Sequence, residues 1–99
     1  MIVVITDEAE ADLEGIGDYI ATENPQRSAT FVRELVKRCY GLSDMPRRFP
    51  VMPHYEHTNI RRLVHHDYLI FYRIDGDAIS ILRIINGSVD YLRILFPDE

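Results

Sequence analysis

The spacing of apolar and polar residues divides the chain into a helical first half and a strand-rich second half. A short β-rich run at 2–5 predicts one strand. Thr6 is then suited to N-cap a helix over 7–23. Asn24 and the proline after it are typical of a fresh helix start, so a second helix is predicted over 25–43. The two helices should form an antiparallel helical hairpin.

Both predicted helices carry apolar residues at helical spacing. In the second helix we take the main stripe to be Ala29, Val32, Val36 and Cys39, widened by Phe31, Leu35 and Leu42. The side chains that we expect to be buried between helices and sheet are Leu13, Ile16, Ile20, Val32, Val36 and Cys39.

The second half changes to the period-two pattern of strands. After an irregular segment with three prolines, the runs IRRLV, YLIFYRI and AISILRII predict a three-stranded antiparallel meander. The turns between them are His65-His66-Asp67 and Asp75-Gly76, and we expect the second pair to take positive φ. The C-terminal segment should add a short strand or one helical turn. The chain is therefore predicted to be a single α+β domain, 1–99, with one sheet and the helices on one face.

The strand 68–74 is apolar on both of its faces, although the predicted helices can cover only one. The opposite face should then expose large apolar side chains, with Arg73 and Arg83 among them. Exposed apolar patches of this kind usually mark a partner site. We therefore predict a docking surface on the uncovered face of the hairpin.

Charge and composition limit the kinds of partner that the protein is expected to bind, and they predict its location in the cell. The net charge is −5, residues 1–26 hold seven acids and no Lys or Arg, and residues 27–97 are mildly basic. An acidic chain is not expected to bind nucleic acid directly. No apolar run approaches the roughly 20 residues of a membrane span, and the start lacks the pattern of a signal peptide. The single cysteine indicates a reducing cytoplasm.

Residues that could carry chemistry are few. His54, His57, His65 and His66 match no strong metal motif, so we expect solvated loop histidines and neither a metal nor another cofactor. Cys39 lies on an apolar stripe without a catalytic partner, and a buried structural thiol is expected.

The order of these elements resembles the RelE/ParE superfamily of bacterial toxins from type II toxin–antitoxin systems. The resemblance rests on AEADLEGIGDYI, NPQRSATFVRELV, MPRRFP, RRLVHHDYLIFYRID and ISILRIINGSVD, which together cover about 2–94. The chain is most similar to the ParE branch. This implies a plasmid-stabilisation toxin that inhibits a cellular protein such as DNA gyrase and is neutralised by a cognate antitoxin.

Two further functions remain open: a RelE-like ribosome-dependent endoribonuclease, and an inactive antitoxin-binding module. The nuclease positions of the superfamily fall on Ile60, Arg62, Leu69, Val89 and Leu95, of which only Arg62 has suitable chemistry. We therefore expect no enzyme activity. The segment after the last strand also departs from ParE-like sequences: it keeps Gly87 and Asp90 of the pattern His-Gly-Arg-Arg-Asp but neither arginine.

The hairpin and the resemblance together predict where partners bind. An antitoxin segment that mixes acids with apolar residues would suit the arginines and aromatic residues of the hairpin. We expect a hetero-oligomer with the antitoxin or a homodimer. The predicted antitoxin- or target-binding residues are Arg61, Arg62, Tyr72, Arg73, Arg83 and Asp90.

Overall fold

A four-stranded sheet carries two helices on one face, as expected for the predicted α+β class. The computed structural model describes all residues from Met1 to Glu99. The elements are β1 (Ile2–Ile5), α1 (Asp7–Ala21), α2 (Pro25–Gly41), a 3-10 turn (Glu56–Thr58), β2 (Arg61–His65), β3 (Tyr68–Asp75), β4 (Ala78–Asn86) and α3 (Tyr91–Leu95).

The strands are arranged in the order β1-β4-β3-β2. The three-stranded meander is antiparallel and β1 joins it parallel to β4. No helix has an apolar stretch of the length that a membrane span requires.

Both long helices begin where the sequence predicts. The Thr6 hydroxyl accepts a hydrogen bond from the Ala9 amide at 3.2 Å, and the Asn24 side chain accepts one from the Arg27 amide at 3.0 Å. Each cap satisfies an amide that the helix itself leaves unpaired. Both helices end two residues earlier than predicted, at Ala21 and Gly41.

The two hairpin turns are two-residue loops, 66–67 and 76–77. Only Gly76 has positive φ in the second turn, at 59°, so the prediction of a positive-φ pair at Asp75-Gly76 is right for Gly76 and wrong for Asp75. Asp75 is instead the last residue of β3, and glycine at the first central position is typical of a type II′ turn. His66 has φ of 54°, an unusual backbone conformation for a residue with a side chain.

The helix-facing core contains Leu13, Ile16 and Cys39 as predicted, but the stripe assigned to α2 is rotated from its true position. The residues of α2 that point into the core are Phe31, Leu35 and Cys39, whereas Ala29 is exposed. Val32 and Val36 are only partly buried, and so is Ile20 of α1.

Val32 explains the difference in phase, because α2 packs against α1 as well as against the sheet. A Cβ atom at Gly17 of α1 would lie 3.3 Å from the Val32 side chain, and the Ser28 hydroxyl donates to the Gly17 carbonyl oxygen at 2.6 Å. The valine stripe thus faces the neighbouring helix, whereas the Phe31 and Leu35 stripe faces the sheet. Glycine at position 17 allows this close approach of the helices.

A β-bulge interrupts the pairing of β3 with β4. Phe71 pairs with Arg83 and Tyr72 pairs with Ile81, so Leu82 has no partner on β3. The Thr6 hydroxyl donates to the Ile81 carbonyl oxygen at 2.7 Å, beside the bulge. Bulges re-aim the side chains next to them. Here the affected residues are Leu82, which packs on the sheet face opposite the long helices, and Arg83, which contacts Asp12 of α1.

Candidate functional site

The sheet face opposite the long helices has its own apolar cluster, formed by Met52, Ile60, Leu69, Phe71 and Ile85. All five side chains are buried because the chain folds back over them. The covering residues come from the proline-rich segment and from α3 with its C-terminal end: Tyr55, Tyr91, Leu95 and Phe96. The prediction that this face of the hairpin is uncovered is therefore wrong for its central part.

The cover is held by specific contacts. The rings of Tyr55 and Phe96 stack with centroids 4.6 Å apart and planes nearly parallel. Asp90 N-caps α3, its carboxylate accepting from the Arg93 amide at 3.4 Å. Asp90, predicted as a binding residue, thus has a structural role in this conformation. No periodicity in a five-residue helix could have predicted this cover.

Three more of the predicted binding residues hold the proline-rich segment and α3 against the sheet. Arg61 donates to the Phe49 carbonyl oxygen at 2.6 Å, and Arg62 donates to the Tyr91 hydroxyl at 3.1 Å. Tyr72 is fully buried, and its hydroxyl donates to the Pro46 carbonyl oxygen at 2.7 Å. Tyr72 therefore presents no surface to a partner, and its pKa is raised by burial. The physical reason is that it points into the helix-facing core.

Arg83 meets a carboxylate of its own chain. Its Nε and Nη2 atoms each lie 2.8 Å from one of the two oxygens of Asp12 on α1. The same carboxylate accepts from the Ile84 amide at 2.8 Å, at the β4 edge that β1 leaves when it turns into α1. The hydrogen bonds to Asp12 raise the pKa of Arg83. The Arg83 guanidinium is thus paired with a carboxylate of its own chain, and the sequence did not predict this pair.

Arg73 lies on the same sheet face but is far less constrained. It pairs only with the Asp75 carboxylate, at 2.9 Å, and about two-fifths of its side chain is exposed. An exposed pair of this kind contributes about 0–1 kcal/mol, so Arg73 can exchange partners at little cost. Of the four predicted arginines, it is the one whose guanidinium is bound only to an exposed carboxylate.

Arg73 borders a groove of about 590 Å³ between α3 and the β1 side of the sheet. We call it the α3 groove; its lining includes Ile60, Arg73, Leu82, Ile94 and Leu95. Ile2 and Val4 extend this surface, because alternation along β1 points Val3 and Ile5 into the helix-facing core. Ile2 is 68% exposed and Val4 45% exposed. The groove is thus partly apolar, and its polar lining residues are Glu8, His57, Thr58, Arg73 and Arg83.

The four histidines do not form one group. His65 and His66 lie at the β2–β3 turn against Glu34 of α2, within 4.8 Å of one another by their potential ligand atoms, whereas His54 and His57 belong to the irregular segment. Glu34 was not predicted as a site residue, since nothing in the sequence connects it to a turn 31 residues away. Cys39 is fully buried as expected, and burial raises the pKa of its thiol to about 12.

This fold is found in toxin–antitoxin systems. The structure is similar to the chromosomal ParDE toxin–antitoxin system from P. aeruginosa, with a TM-score of 0.76 and 26% identity over 87% of this chain and 95% of that one. It also shares its fold with the RelBE2 toxin–antitoxin complex from Mycobacterium tuberculosis, with a TM-score of 0.64 and 24% identity over 86% and 95% of the two chains.

The sequence also identifies the family to which the chain belongs. The model of the ParE toxin of type II toxin–antitoxin systems, parDE, matches residues 3–91. The chain belongs to this family, which confirms the assignment to the ParE branch of the RelE/ParE superfamily. A comparison with curated protein sequences found no significant match.

Proposed function

We propose that this protein is a non-enzymatic toxin that inhibits a cellular protein target, DNA gyrase, and that a cognate antitoxin neutralises it by binding in the α3 groove. The observation that carries the proposal is the match to the ParE toxin family over residues 3–91. Two of the solved structures with this fold are a ParDE system and a RelBE2 complex, which supports an antitoxin partner.

The arrangement of cations favours a protein target over RNA. Cleavage of RNA builds negative charge on phosphorus and on the leaving oxygen, so a nuclease needs several cations around one phosphate. The one suitable residue at the superfamily's nuclease positions, Arg62, donates to the Tyr91 hydroxyl. Two of the other positions, Ile60 and Leu69, are buried in the apolar cluster under α3. This supports the absence of nuclease activity.

The α3 groove suits an antitoxin segment that carries apolar residues and a carboxylate. Leu82 and Ile94 offer apolar surface along the groove, and Ile2 and Val4 continue it toward β1. Arg73 can exchange the exposed Asp75 carboxylate for one from the antitoxin. Arg83 would have to give up two hydrogen bonds to Asp12 before it could do the same. Arg73 is therefore the arginine that we expect to pair with the antitoxin.

Calorimetric titration with the product of the neighbouring reading frame tests this docking site. Arg73→Ala should weaken binding at least tenfold, because truncating one partner of a desolvated ion pair costs about 2–5 kcal/mol. Arg33→Ala is the matched control: Arg33 is an exposed arginine on α2, on the other side of the sheet. If Arg73→Ala binds like the parent, or if Arg33→Ala weakens binding equally, the α3 groove is not the docking site.

The target is tested separately with purified components. Supercoiling by DNA gyrase should fall when the toxin is added and recover when the antitoxin follows. Unchanged supercoiling at a large excess of toxin would reject gyrase as the target. Mapping of messenger RNA ends after induced expression addresses the alternative. Cuts that disappear with Arg62→Ala would show a nuclease and overturn the non-enzymatic function.

A further inference from the structure

Three side chains with metal-binding atoms converge where the β2–β3 turn meets α2. The Glu34 Oε1 atom lies 3.1 Å from His65 Nε2 and 3.9 Å from His66 Nε2. The three potential ligand atoms all lie within 4.8 Å of one another, and no other group of three such residues in the chain is this close. The cluster lies apart from the α3 groove, on the helix side of the sheet.

These separations fit the coordination shell of a small divalent metal ion. In a tetrahedral site with metal–ligand bonds of about 2.0–2.1 Å, neighbouring ligand atoms are about 3.3 Å apart. The two distances from Glu34 Oε1 lie on either side of that value. Small side-chain movements would therefore bring all three atoms into contact with one ion. Two imidazoles and a carboxylate suit Zn²⁺, Ni²⁺ or Cu²⁺ better than Mg²⁺ or Ca²⁺.

The fold restricts the ligands before any ion binds. The Phe31 ring packs against both imidazoles, with centroids 5.6 Å from each. The His65 side chain is only 11% exposed, whereas His66 is 59% exposed and leaves a path from solvent. Hydrogen bonds to Arg27 and His65 hold the Glu34 carboxylate beside the imidazoles.

We propose that Glu34, His65 and His66 form a binding site for a divalent transition-metal ion of the zinc class, with water completing the coordination. Such an ion would tie the β2–β3 turn to α2. The site is separate from the α3 groove and goes beyond the proposed toxin function.

Arg27 donates to both carboxylate oxygens of Glu34 and competes with an ion for this ligand. A second contact that opposes metal binding gives the proposal a distinctive consequence. Arg38 Nη1 lies 3.3 Å from His65 Nδ1. Arginine only donates, so Nδ1 must accept and the proton of the neutral ring lies on Nε2, facing Glu34. A metal on Nε2 requires the proton to move to Nδ1, where it would confront the guanidinium. Replacing Arg38 by glutamine, whose amide oxygen can accept that proton, should therefore strengthen metal binding.

Zinc titration of the untagged protein against a chromophoric chelator tests the site. The parent should bind one equivalent of Zn²⁺ and show a rise in Tm, because an ion that binds only the folded state stabilises it. His66→Ala should lower the affinity at least tenfold and abolish the rise in Tm. Arg38→Gln should increase the affinity about tenfold, within the range known for outer-shell partners of metal ligands. The double variant His54→Ala/His57→Ala is the control and should bind like the parent.

The outcomes separate the proposed site from incidental binding by surface histidines. His66 is largely exposed, so circular dichroism should show that its alanine variant stays folded. The Co²⁺-substituted parent should give the absorption of a tetrahedral site, and His66→Ala should not. If His66→Ala binds Zn²⁺ as the parent does, or if the His54/His57 control loses as much affinity, the three residues are not a metal site. An affinity lowered by Arg38→Gln would also overturn the proposed coordination through His65 Nε2.

Discussion

Replacing Asp12 by asparagine should destabilise the protein far more than a surface charge change does. The Asp12 side chain is 13% exposed and accepts three hydrogen bonds, two from Arg83 and one from the Ile84 amide. Asparagine has the same shape but no charge, and its amide group would face the guanidinium. Arg83 would then remain partly buried without a counter-charge.

The expected loss of stability follows from the burial of the Asp12–Arg83 pair. Removing one partner of a fully buried ion pair costs about 3–5 kcal/mol. Arg83 is 31% exposed, so water can solvate part of the orphaned charge. We therefore expect Asp12→Asn to lower the free energy of unfolding by about 2–4 kcal/mol. For a domain of this size, 1 kcal/mol shifts Tm by about 4–8 °C, so Tm should fall by roughly 8–32 °C.

The chain contains a matched control for this experiment. Arg73 and Asp75 form a pair with nearly the same Nε–Oδ distance, 2.9 Å against 2.8 Å, but the Asp75 side chain is 45% exposed. Asp75→Asn should cost less than about 1 kcal/mol. Urea unfolding followed by circular dichroism measures both, and the m-value should stay constant if only the native state is affected.

A double-mutant cycle with Arg83→Gln isolates the pair itself. We expect a coupling energy of about 1.5 kcal/mol or more between Asp12 and Arg83, within the range for residues that share hydrogen bonds. The reasoning fails if Asp12→Asn and Asp75→Asn cost the same. It also fails if the coupling energy is below about 0.5 kcal/mol, because the cost of Asp12→Asn would then arise from α1 alone.

Two further predictions concern the buried residues of α2. Leu35→Ala should lower the free energy of unfolding in urea by about 2–5 kcal/mol, because Leu35 is fully buried. Val36→Ala, at the next position, should lower it by only about 1 kcal/mol, because Val36 is partly buried. Equal losses would contradict the helical phase. Cys39 should resist a thiol reagent at mildly alkaline pH until the protein is unfolded in guanidinium chloride, since burial raises its pKa to about 12. Because the folded pKa exceeds that of the unfolded chain, this thiol should also reduce stability as the pH rises from about 9 toward 12, and rapid native labelling would contradict its burial.

The elements and their order were predictable because each is marked by local chemistry. Thr6 and Asn24 fixed the helix starts, and period-two alternation fixed the meander. The phase of α2 was not predictable in this way. The Val32 and Leu35 stripes are both apolar, and only the close packing at Gly17 decides which stripe faces the neighbouring helix and which faces the sheet.

The binding residues were harder to predict because their partners are distant in sequence. Arg83 and Asp12 are 71 positions apart, and Tyr72 is 26 positions from the carbonyl group of Pro46 that it contacts. A strand pattern shows that a residue is polar or aromatic, but not which group of the chain satisfies it. The sequence therefore predicted the composition of the sheet face correctly and misjudged how much of it the chain covers by itself.

Because the proline-rich segment and α3 cover part of this sheet face, a partner would bind there differently from the way that the sequence predicts. The contrast between an acidic first quarter and a basic remainder suggested a charged docking surface, but Asp12 and Arg83 neutralise each other within the fold. Arg73 and Glu8 both line the α3 groove, which therefore has little net charge. Apolar burial must then supply most of the affinity for an antitoxin segment. Arg73 would add the desolvated ion pair whose loss weakens binding at least tenfold, and it would fix the register of the segment.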